Sequence, residues 1–70
     1  MEVVFTIHAE YRLERRKIPK DEARDALKNP DTLLKKHGLY YYQKRLERGI
    51  IEIVCEKTAK SLNVITVYWV

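Results

Sequence analysis

His8, Arg12 and Arg16 stand at four-residue intervals in the stretch IHAEYRLERRKIP. On a helix that spacing gathers the three side chains into one stripe, because residues four apart are neighbours on the helix surface. The residue types matter as much as the spacing. Imidazole is the side chain whose ordinary titration falls near neutrality, which suits it to general acid or base work. A guanidinium fork stays charged and matches phosphate oxygens two at a time. The stripe is therefore an acid–base centre with its phosphate clamp, a grip on nucleic acid, or a solvated face whose arginines pair with Glu10, Glu14 and the acids of the next helix. A His-Arg-Arg stripe beside a basic patch is better explained by an anion site. For His8 alone, the plain alternative is a cap at the junction of strand and helix.

Other residues extend or compete with this reading. Lys17, Lys44 and Arg45 would lengthen a basic track, and Tyr41 offers an exposed ring of the kind that stacks on bases of single-stranded RNA. Strand alternation, however, turns Lys44 toward the side that should carry the helices, from which its long stem would have to reach out to solvent. The lone cysteine, Cys55, follows Ile53 and Val54 and reads as a buried structural thiol. His37, beside Gly38, reads as an exposed turn residue. A zinc site made of His8, His37 and Cys55 lacks the close ligand spacing of structural sites, and neither a metal nor another cofactor is expected.

The elements that must position these residues are legible as a sequence of switches. Val3 to Ile7, VVFTI, is β-branched and aromatic and predicts a short strand. HAEYRLERRK then turns to strong helix formers, with Ala9, Leu13 and Tyr11 available to pack inward, and ends near Lys17 because Ile18 precedes a proline. A second helix has Pro19 near its start, Asp21 and Glu22 in its first turn and Asn29-Pro30 as its stop, so that the two form a helical hairpin. Its apolar face is Ala23, Ala26 and Leu27, with Ile18 before it. From Thr32 the pattern is β: TLLKK, LYYYQKRLE, a turn at Arg48-Gly49, IIEIVCEKT, a polar turn around Ala59 to Ser61, and LNVITVYWV. A two-residue loop at Arg48-Gly49 sets Arg45 opposite Glu52, Gln43 opposite Val54 and Tyr41 opposite Glu56. Leu46, Tyr42, Tyr40, Ile51, Ile53, Cys55, Ile65, Val67 and Trp69 then form the floor under the helices, and Val64, Thr66 and Tyr68 fall on the opposite face. The expected class is α+β: an N-terminal strand, a two-helix hairpin, then a three- to four-stranded antiparallel sheet, in a single domain over residues 1–70.

Seventy residues bury only a modest core, so a partner is expected on stability grounds. Fourteen Lys plus Arg against ten Asp plus Glu leave a net charge of +4, which suits a polyanionic partner. The single cysteine fits a reducing compartment. MEVVFTIHAE lacks a basic leader region, and no segment is long and apolar enough to cross a membrane, so a cytoplasmic protein with no membrane partner is expected.

The order strand, two helices, antiparallel strands resembles the RelE/ParE toxin group of the barnase-EndoU-colicin-RelE fold. More specifically, HAEYRLERRKIPKDEARDALKNP, a variable β hairpin and a closing NVITVYWV look like a family of small RelE-like domains of unknown function, which share a His-x-x-x-Arg opening to the first helix, a helix ending in Asn-Pro and a final Ile-Thr-Val-Tyr-like run. More distantly the chain resembles toxins of BrnT type. The resemblance implies a toxin-like domain that binds RNA and acts as a metal-independent endoribonuclease, either on free RNA or on the ribosome. His8 would be the base or acid, Arg12 and Arg16 would hold the scissile phosphate, and Tyr68 would lie near the site, with Thr66 supplying a hydroxyl contact. It also implies an acidic antitoxin as partner; that protein, or a second copy of the chain, would supply buried area. The alternative is a non-catalytic binding module, either a ParE-like topoisomerase inhibitor or a nucleic-acid-binding domain without chemistry, since only one good acid–base residue is visible and fold does not fix function.

Overall fold

A computed structural model describes residues 1–70. The elements run β1 (Glu2–Phe5), α1 (Ile7–Arg15), α2 (Lys20–Lys28), β2 (Thr32–Lys36), β3 (Leu39–Leu46), β4 (Gly49–Lys57) and β5 (Ser61–Trp69). All five strands form one sheet in the order β1-β5-β4-β3-β2. The class is α+β as the sequence implies, but the sheet is five-stranded and mixed rather than three- to four-stranded and antiparallel. β1 joins it parallel to β5, Phe5 facing Val64 in register. The crossover through α1 and α2 carries the chain to β2 at the far edge, antiparallel to β1, and the three antiparallel pairings that follow bring β5 back alongside β1 in the same direction.

Local chemistry sets the boundaries. β1 stops at Phe5, earlier than its apolar run, because Thr6 caps α1: its hydroxyl oxygen accepts from the Ala9 amide at 3.1 Å and donates to the Val64 carbonyl at 2.8 Å. α1 ends at Arg15 in a Schellman turn, with Ile18 N–H donating to the Leu13 carbonyl and Lys17 N–H to that of Glu14. Lys17 occupies the left-handed position of that turn, φ +56°, where glycine is usual. Asn29 closes α2, as expected.

The helices cover one face. Ala9, Leu13, Ile18, Ala23 and Ala26 pack on Tyr42, Ile51, Ile53, Cys55, Leu62, Val64 and Val67 in one buried cluster, with Leu27 and Trp69 at its margin. Tyr11 does not pack inward; it is exposed, lying on the side of α1 opposite Ala9.

Two register details differ from the sequence expectation. The β3–β4 turn is Glu47-Arg48, with Leu46 paired to Gly49, so Arg45 faces Ile50, Gln43 faces Glu52 and Tyr41 faces Val54. The two-residue slip leaves every side chain on its expected face, because strand alternation has period two. Gly49 belongs to the strand at φ +144°, and a Cβ there would come within 3.4 Å of the Trp69 ring. A bulge between Val54 and Cys55 pairs Val54 with Thr66 but Cys55 with Val64. It turns Val64 into the core, fully buried, and leaves Ile65 outside the core cluster, reversing the expected placement of those two residues.

Candidate nucleic-acid interface

The stripe forms on α1 as its spacing implies. Arg12 Nε donates to His8 Nε2 at 3.3 Å on the exposed side of the helix. That nitrogen therefore carries the lone pair, and the imidazole is already engaged by its neighbour. Glu10, across the helix from Arg12, pairs with Lys20 of α2 at 2.7 Å, so the stripe lies on the flank turned away from α2. The ion pairs of the chain are Lys20–Glu10, Arg24–Asp21 and Arg48–Glu22, and none involves Arg12, Arg16 or Lys17. The solvated-face reading, in which these arginines pair with neighbouring acids, is not what the structure contains. His8 does not cap the helix either, since Thr6 holds that role.

Both ends of α1 are fastened to β5. Thr6 bonds to Val64 at one end, and the Trp69 indole N–H donates to the Arg16 carbonyl at 3.3 Å at the other. β1 pairs with β5 only as far as Val64, so the outer edge of Ile65 to Trp69 has no strand beside it. His8, Arg12 and Arg16 thus run along the length of β5 that carries Thr66 and Tyr68.

The face of the sheet away from the helices holds the second group. One row crosses four strands, Thr32–Gln43–Glu52–Tyr68, and the next is Leu34–Tyr41–Val54–Thr66. Gln43 donates its amide to Glu52 Oε1 at 2.7 Å, and the Tyr68 hydroxyl donates to Glu52 Oε2. This bond to the carboxylate, with partial burial and the Glu52 charge, pushes the Tyr68 hydroxyl up to about 12. Tyr68 therefore keeps its proton well above neutral pH and stands as a hydrogen-bond donor to Glu52, not as a base. Glu52, which accepts from both Gln43 and Tyr68, gives no signal as a lone strand glutamate until the β4–β5 register sets it beside Tyr68.

Other expected members fall in different places. Tyr41, Arg45 and Thr66 share the open face with Tyr68. Lys44 does not: it turns to the helix side, where its ammonium donates to the Asn29 carbonyl at 2.7 Å and closes the C-terminus of α2. No hydrogen bond joins the His8–Arg12 pair to the Tyr68–Glu52–Gln43 group. His8, His37 and Cys55 do not come together, and the chain has no cluster of three His, Cys, Asp or Glu side chains placed to hold a metal. Cys55 is buried, and burial pushes its thiol up to about 12, far from a nucleophile. No helix is long and apolar enough to cross a membrane.

The one depression, about 140 Å³, is lined by Asp31, Thr32, Gln43, Lys44, Arg45 and Ile50. Small-molecule sites usually measure roughly 300–1,000 Å³, so this depression is smaller than such a site. The class of the molecule is a small α+β domain with a mixed sheet, both helices on one face and a polar, tyrosine-bearing face left open. Residues 5–69 match the family described as a domain of unknown function, DUF4258, and the chain belongs to that family. No curated protein and no solved structure matches it.

Proposed function

We propose that the domain is a toxin-like RNA-binding protein that grips single-stranded RNA along α1, stacks its bases on the open sheet face, and cleaves the bound strand as an endoribonuclease. One observation carries the reading: Arg12, Arg16 and Lys17 form a cationic strip with no acidic partner, along the same half of β5 whose open face displays Tyr68. Unpaired guanidinium groups are what phosphate binding requires, and tyrosine rings on the open face of the neighbouring strand are what base stacking requires. The resemblance to the RelE/ParE group supports the same reading and brings with it an acidic antitoxin as the natural partner.

Cleavage would proceed by attack of the ribose 2′ oxygen on the adjacent phosphorus. The P–O5′ bond breaks, leaving a 2′,3′-cyclic phosphate and a 5′-hydroxyl. Arg12, moving from His8 to the phosphate, frees the Nε2 lone pair to accept the 2′-hydroxyl proton, and the departing O5′ takes a proton from solvent. Tyr68 positions the flanking base. A second reading, a non-catalytic module such as a ParE-like topoisomerase inhibitor or a plain nucleic-acid binder, is favoured by one observation. The Tyr68 hydroxyl is committed to the Glu52 carboxylate, which leaves His8 without a protein partner in the proton transfers.

RNA binding is tested by fluorescence anisotropy of a labelled single-stranded RNA over a salt series. Each phosphate contact contributes about 0.7 to the slope of log affinity against log salt for single strands, and Arg12→Ala and Arg16→Ala should each remove about that much. Binding with an unchanged slope in both variants would remove the strip from the interface, and no binding at low salt would overturn the reading.

A further inference from the structure

β2 forms one edge of the sheet and is bonded on one side only, to β3. All five of its residues are exposed, Leu33 at 48% and Leu34 at 47% among them. An edge strand presents a row of unpaired N–H and C=O groups, which proteins normally blunt. This edge is only partly blunted. Leu33 and Leu34 leave apolar surface on both faces, while Lys35 and Lys36 end the strand with two positive charges, neither in an ion pair. The register sets Thr32, Leu34 and Lys36 on the open face and Leu33 and Lys35 on the other. There Lys35 lies 5.4 Å from the centre of the Tyr40 ring, and Lys57 approaches the same ring at 4.7 Å. The acid nearest in sequence, Asp31, sits at the opposite end of the strand, where its carboxylate accepts from the Arg45 amide at 2.7 Å.

We infer that β2 is a strand-addition site for an extended acidic segment of a partner protein. Main-chain hydrogen bonds to the free edge supply the pairing, apolar side chains of the segment cover Leu33 or Leu34, and its carboxylates meet Lys35 and Lys36. Charge selects this occupant over a second copy of the chain. Each chain carries a net +4, so a second copy would add like charge, whereas an acidic segment neutralises Lys35 and Lys36. The inference stands independently of the RNA reading. A segment seated there lies next to Thr32, the first residue of the row that ends at Tyr68, so it would border the open face.

The test uses the intact chain labelled with nitrogen-15 and, as probe, a short synthetic peptide of two adjacent glutamates followed by two adjacent valines, which sets one acid and one apolar side chain on each face of the added strand. The expected result is amide shifts concentrated on Thr32 to Lys36, slowed hydrogen exchange at the outward amides of β2, and binding weakened about tenfold or more in the Lys35→Glu, Lys36→Glu double variant. The same peptide N-methylated at every residue keeps its charge but cannot pair, and it should lose binding with the protein untouched. Three results would overturn the inference: shifts centred on His8 to Lys17, equal binding by the N-methylated peptide, or self-association that protects the β2 amides without peptide.

Discussion

Lys17 is where stability and the proposed function pull in opposite directions. Its φ of +56° places a side chain in left-handed geometry at the end of α1, fixed there by the Schellman bonds to Glu14 and Leu13. That geometry costs a residue with a Cβ about 1–2 kcal/mol. Glycine removes the cost but loses roughly 0.5–1 kcal/mol through its greater freedom in the unfolded chain. Lys17→Gly should therefore stabilise the domain by about 0.5–1 kcal/mol, or raise Tm by roughly 2–8 °C in a chain of this size. Lys17→Ala keeps the strain and should leave Tm within a few degrees of wild type. If the ammonium lies on the RNA track, both variants lose RNA affinity alike and lower the salt slope by about 0.7. Thermal unfolding followed by circular dichroism and anisotropy on the same samples read the two effects separately. A Tm for Lys17→Gly at or below wild type would refute the strained turn. Unchanged RNA affinity in both variants would reduce Lys17 to a turn residue.

Three further outcomes follow from the same structure. In alkaline spectrophotometric titration Tyr68 should ionise only near pH 12, and Glu52→Gln should return it toward the ordinary value of 10; because folding raises this group, its contribution to stability is whole below about pH 10 and is lost as pH climbs through about 12, and a wild-type titration with all tyrosines near 10 would contradict the Tyr68–Glu52 bond. Cys55 should react with a thiol reagent at pH 8 only as the domain opens, since burial raises the thiol from 9.0 to about 12; its contribution fades between those values as pH rises, and reaction at the speed of free cysteine would place the thiol outside the core. Lys44→Met should cost about 0.3–1 kcal/mol by uncapping α2 and leave RNA affinity unchanged; a loss of affinity with stability intact would return Lys44 to the basic track.

The parts of the fold that depend on residue period were legible, and the parts that depend on long-range register were not. Tyr42, Ile51, Ile53 and Val67 face the helices because alternation decides it, and the two-residue slip at Glu47-Arg48 could not change that. Arg48-Gly49 has turn chemistry, whereas in the structure Gly49 opens β4 at φ +144°, a backbone conformation that favours glycine. The exchange of Val64 and Ile65 follows from a bulge that neither residue type announces, both being β-branched. The parallel docking of β1 is a contact between chain ends that no local pattern encodes. At the site, His8 and Arg12 meet because four residues is a helical distance, so sequence spacing was enough. Glu52 and Tyr68 are sixteen residues apart and meet only through the β4–β5 register, which the bulge resets. Lys44 has the charge of the basic track, but strand alternation turns it to the helix side.

The most direct measurement is cleavage itself. A defined RNA, and the same RNA with a single 2′-deoxy residue at the cut site, are incubated with the wild type, His8→Ala and Arg12→Ala, each free and on translating ribosomes, and the ends are mapped by primer extension. The proposal requires cuts by the wild type that leave 2′,3′-cyclic phosphate, vanish with the deoxy substrate, and are lost in both folded variants. RNA that is bound but left intact by the wild type in both settings would contradict it and make the stripe on α1 a phosphate grip without chemistry.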